Sequence, residues 1–175
     1  MENDDPTLVA VYEQRALVYV AMNQMTDGLR DLRRAVEHGG PADPEAYLDF
    51  LEQVLETDLE DALWVAQQAG RMPLPPASAR GLLEMTGWIQ VSLATHPGMT
   101  AEARGQWLKT AEADWRQLMH FIQAAGMEPQ AAEYAGLATT LKEAGRLREA
   151  RQTVERGLKL APGDEQLHGL LTRLP

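Results

Sequence analysis

The chain of 175 residues contains no cysteine, which rules out disulfides and thiol chemistry and leaves its compartment unconstrained by redox. It has no stretch approaching the ~20 apolar residues that a membrane span requires. Its opening, Met1-Glu2-Asn3-Asp4-Asp5, is acidic and polar where a secretory signal is basic and then apolar. A cytoplasmic location is the default expectation, and an extracytoplasmic domain expressed without its signal stays open. Runs of alternating β-branched residues are missing, so a sheet is not expected. The ten prolines and fourteen glycines fall mostly at expected turns. His38, His96, His120 and His168 are spread one to a region, without the i, i+4 pairing of a zinc helix. There is no glycine-rich phosphate loop, no G-x-S-x-G elbow and no nucleophile beside a base. Hence no catalytic residue, metal site or cofactor is expected. A net charge of −10 argues against nucleic acid as a partner, because phosphate binding rests on clustered Lys and Arg.

What the chain does contain is repetition. Residues 9–42 and 131–164 read as the same two-helix hairpin. In the second copy Ala138 and Ala150 sit where two antiparallel helices cross most closely, and Gly157 is small where the next helix must approach. Tyr134, Leu137, Leu141 and Val154 recur at helical spacing and fill the space between the rods. Gly145 ends the first helix and Pro162 the second. The first copy shows Tyr12, Arg15-Ala16, Tyr19, Gly28, Leu32 and Ala35 at matching offsets, with Asn23 in place of the turn glycine and Gly39-Gly40-Pro41 shifting the terminating proline. In these residues the chain resembles the tetratricopeptide repeat, a 34-residue helix–turn–helix unit that stacks into solenoids.

A third, degenerate copy can be laid out at 43–76, because Gly28 and Ala62, and Ala35 and Ala69, are 34 residues apart. Asp43-Pro44-Glu45 is a good helix start. Phe50, however, stands where the repeat has a small residue, and Asp49 and Gln53 stand where it has large ones. Residues 77–130 form a longer unit, one repeat plus 20 residues. Its two helices carry Leu82, Met85, Ile89 and Leu93, and then, after a Thr100 cap, Leu108, Ala111, Trp115, Leu118, Ile122 and Ala125. Trp88, Trp107 and Trp115 are read chiefly as core, with a family-specific role for the extended helices as the alternative. Residues 165–175 complete the chain as a capping helix, with Leu167, Leu170 and Leu171 inward. The fold class expected is therefore all-α, a right-handed α-solenoid of about four hairpins plus a cap. The single domain 1–175 comprises units 9–42, 43–76, 77–130 and 131–164.

Charge is uneven. Residues 1–62 carry 15 acids and 4 bases, whereas Arg146, Arg148, Arg151, Arg156 and Lys159 crowd the last repeat. This suits a basic or amphipathic partner, head-to-tail self-association of acidic and basic ends, or simply a solvated surface. The resemblance implies a non-enzymatic scaffold or adaptor that binds a protein or peptide on its concave face. Projecting the exposed first-helix positions of the family gives Glu13, Leu17 and Val20, then Tyr47, Leu51 and Val54, then Ala135, Thr139 and Lys142. This set lacks the Lys/Asn/Arg combination with which some members clamp a terminal carboxylate. A chaperone for a secreted or assembling client, or a regulatory domain of a larger protein, remain alternatives.

Overall fold

The computed structural model describes residues 5–175; the first four residues of the acidic opening lie outside them. Among the described residues the structure is all helical, with nine helices and no strand. They are α1 (Pro6–Ala21), α2 (Met25–Glu37), α3 (Pro44–Val54), α4 (Leu59–Ala69), α5 (Pro76–Thr95), α6 (Ala101–Ala124), α7 (Ala131–Glu143), α8 (Leu147–Leu160) and α9 (Glu165–Thr172). None of the described helices is long and apolar enough to cross a membrane. The chain divides into two compact units, one ending at Leu82 and the other spanning Leu83–Pro175, so the boundary falls within α5.

Local chemistry sets the helix ends. Asp5, Asp43, Asp58, Thr100 and Asp164 each accept a backbone N–H of the following turn, with Asp43 receiving Glu45 N at 3.1 Å and Thr100 receiving Ala103 N at 3.2 Å. At the turns, Asn23 takes the left-handed conformation at φ 57° and Gly145 does so at φ 75°. Asparagine is among the few side chains that tolerate this region, which is why it can stand in for glycine after α1.

In the first unit α1 and α2 form one hairpin and α3 and α4 a second, with α3 also packed on α1. Ala16, Gly28 and Phe50 define the crossing of α1, α2 and α3. A Cβ added at Gly28 would lie 2.6 Å from Phe50 Cε2 and 3.2 Å from the Ala16 carbonyl oxygen. The oversized Phe50 is thus matched to the missing side chain at Gly28, and Asp49 and Gln53 are exposed. The inward face of α3 is made of Ala46, Tyr47, Phe50, Leu51 and Val54.

In the second unit the fully buried Trp115 lies between two glycines, Gly87 on α5 and Gly136 on α7; a Cβ on either would collide with the indole. Trp88 meets the same ring edge-on, with centroids 5.5 Å apart. Around Trp115 the core gathers Leu118 and Ile122 of α6, Ala138 and Leu141 of α7, Ala150 and Val154 of α8, and Leu167 and Leu170 of α9. Of the α6 stripe read from the sequence, only Ala125 is exposed, because the helix ends at Ala124. Gly157 receives both Tyr134 and Leu167, so a Cβ there would stand 2.8 Å from each. The closing helix α9 therefore covers the last hairpin.

Candidate functional site

Several of the residues projected from the repeat pattern are buried within their own unit. Glu13, Tyr47, Leu51 and Val54 are buried inside the first unit, and Ala135 is buried inside the second. Leu17, Val20, Thr139 and Lys142 are half-buried. The difference at 43–76 follows from the rotation of α3 that turns Tyr47, Phe50, Leu51 and Val54 inward together. Glu13 has become a structural cap. Its carboxylate accepts Ala42 N at 2.8 Å and the Asp43 N–H, tying α1 to the entry of α3. Burial pushes its pKa up, against the lowering effect of those two bonds.

Two concave surfaces stand out. In the first unit a cleft of about 630 Å³ is lined by Met25, Leu29, Arg30, Arg33, Asp58 and Asp61. Its cations are already engaged: Arg30 pairs with Asp27 at 2.7 Å and Arg33 with Asp61 at 2.9 Å, while the Arg33 guanidinium also stacks over Trp64. In the second unit a groove of about 560 Å³ runs between α6, the α6–α7 loop, α7 and α8. Met119, Met127, Pro129, Tyr134 and Leu137 supply its apolar lining, and Arg116, His120 and Arg156 its polar margin. Arg116 is paired with Glu112 at 2.8 Å. Arg156 is exposed and makes no ion pair among the described residues. Methionines adapt their shape to varied apolar surfaces, and an unpaired guanidinium is a ready donor for a carboxylate. The sequence flagged Arg156 only as one of a basic crowd. Arg146 and Arg151 of that crowd are held by glutamates, whereas Arg156, like Arg148, makes no ion pair among the described residues.

Behind the groove, α6 carries two carboxylates with opposite perturbations. Burial opposes ionisation of Glu112, but hydrogen bonds from Arg116 and Arg146 and their charge outweigh it and hold its pKa down. Asp114 is pushed up by burial, offset in part by the Gln90 amide donating to it at 2.8 Å. The other end of that amide, Gln90 Oε1, is a buried acceptor without a donor. Asp114→Asn removes a poorly solvated charge and provides an N–H for Gln90 Oε1, so it is expected to raise stability at neutral pH by about 1 kcal/mol. The raised native pKa of Asp114 fixes the sign: the gain shrinks as pH falls through that value, where the wild-type carboxyl becomes neutral. Glu112→Gln has the reverse pattern, a loss above the unfolded carboxyl pKa that disappears as pH falls through the depressed native value. Thermal melts of the two variants across the acid range test both signs.

The comparisons agree with this helical-hairpin architecture. The family model described as Tetratricopeptide repeat matches residues 110–174, the span holding Trp115, Ala138, Ala150 and Gly157. Over that span the chain is similar to the tetratricopeptide repeat. The solved structure of MamA 41-end from Desulfovibrio magneticus RS-1 is similar over 94% of this chain and 81% of that one, with a TM-score of 0.61 and 14% identity. At that identity the likeness concerns the fold. No curated protein matches the sequence. Tetratricopeptide repeats serve in general as protein–protein interaction scaffolds.

Proposed function

We propose that the protein is a non-enzymatic adaptor whose second unit seats an amphipathic segment of a partner protein in the groove between α6, α7 and α8. The observation that carries this reading is the juxtaposition of a methionine-, proline- and tyrosine-lined trough with the unpaired Arg156 on its margin. An apolar stripe on the incoming helix fits the trough, and acidic residues flanking that stripe meet Arg156. The first-unit cleft is a weaker candidate because Arg30 and Arg33 are occupied by aspartates of the same unit.

The test uses two synthetic amphipathic helices with leucines at i, i+3, i+4 and i+7, one bearing glutamates and the other lysines on the flanks. The glutamate peptide binds the wild-type protein, and Arg156→Glu weakens that binding by about tenfold, roughly 1.4 kcal/mol. Raising the salt narrows the difference, because the margin is solvent-exposed. Equal binding of the two peptides, or an unchanged affinity in a folded Arg156→Glu variant, overturns the groove assignment.

A further inference from the structure

The first helix carries a second feature that the groove does not explain. Leu8, Val11, Val18 and Met22 are 37%, 50%, 55% and 58% exposed, and they are most of the large apolar side chains left open among the described residues. With Arg15 they occupy positions 8, 11, 15, 18 and 22, the alternating three- and four-residue spacing of a coiled-coil seam. The opposite side of α1, through Val9, Glu13 and Ala16, is buried against its own unit.

This seam is also free of the acidity that surrounds it. The first 62 residues have a net charge of −11, yet the acids of α1 are limited to Glu13, which is interior. Arg15 is the single charge in the seam. Its guanidinium is held by the buried Asp31 of α2, with Nη2 2.8 Å from Oδ1, and rests against the Tyr12 ring. Like faces of two copies can pair about a two-fold axis without charge repulsion where carboxylates are missing, and this face is one such place in the acidic half of the chain. It is also self-complementary: with Arg15 at its middle, antiparallel alignment sets Leu8 opposite Met22 and brings Val11 within one residue of Val18.

We infer that the protein self-associates through α1, two copies packing their α1 seams antiparallel about a two-fold axis beside Arg15. The 16 residues of α1 span about 24 Å. A single helix pair of that length buries less than the roughly 800 Å² per partner of a standard stable interface. The dimer is accordingly expected to be concentration-dependent.

Sedimentation velocity over a concentration series reads the outcome. The wild-type chain shifts from monomer to dimer, and the double variant Val11→Glu/Val18→Glu raises the dissociation constant by more than about tenfold while its helical circular dichroism is retained, since both side chains are exposed. Leu160→Glu, on an open apolar residue of α8, leaves the dimer intact. Because the chain has no cysteine, Leu8→Cys/Met22→Cys gives a clean orientation test: oxidation yields a covalent dimer, and Leu8→Cys alone yields little. A wild-type chain that stays monomeric throughout the series, including one whose α1 is instead covered by a different protein, overturns the inference. So does a dimer unaffected by Val11→Glu/Val18→Glu.

Discussion

Gly136→Ala is expected to destabilise the protein by about 3 kcal/mol, lowering its melting temperature by roughly 6–12 °C. Glycine to alanine within a helix ordinarily stabilises by about 1 kcal/mol, so the sign itself is diagnostic. The methyl group would enter the space held by the outer ring atoms of Trp115, and that indole is fully buried and cannot swing away. Gly105, on the exposed side of α6 with nothing within 4 Å of an added Cβ, supplies the contrast. Gly105→Ala is expected to stabilise by about 0.5–1 kcal/mol. The cause can be isolated by a double-mutant cycle. Trp115→Phe removes the ring atoms that the new methyl meets and costs about 2 kcal/mol as a cavity. Adding Gly136→Ala in that background should bring no further loss. Additive losses in chemical denaturation would sink the account of a glycine kept for the tryptophan.

Phe50→Ala is expected to cost about 3–5 kcal/mol, the range for emptying a fully buried aromatic site. Phe50→Leu, which keeps most of the volume, should cost less than about 1.5 kcal/mol. Gly28→Ala destabilises the wild type because its Cβ would stand 2.6 Å from the Phe50 ring. In the Phe50→Ala background the same change is expected to recover part of the loss by filling the void. Urea melts of the four proteins decide the matter, and a Phe50→Ala loss below about 1 kcal/mol would show that the site collapses without cost.

These two predictions mark where sequence reading succeeded and where it stopped. Small residues at fixed offsets gave away the last hairpin: Ala138, Ala150 and Gly157 are all buried as their spacing requires. The apolar face of α6 was also legible, because Leu108, Ala111, Trp115, Leu118 and Ile122 keep one stripe over four turns. Phe50 could be recognised as out of pattern, but not its compensation. The partner glycine at position 28 lies on another helix, and volume matching across helices leaves no periodic trace in one sequence. The projected binding positions depended on helix rotation to within a fraction of a turn. In α3 that rotation was set by four large apolar residues turning inward together, and Tyr47, Leu51 and Val54 went with them.

The sequence alone determined the all-helical class, the hairpin repeat, the helix starts at Asp43 and Thr100, and the absence of thiol chemistry. Each is fixed by local periodicity, capping groups or composition, which act over a few residues. Tertiary structure decided which carboxylates are buried, that Arg156 is left unpaired at the groove margin and which helix face stays open. Those properties depend on distances between residues far apart in the chain, such as Arg15 and Asp31 or Gln90 and Asp114, and only packing sets them.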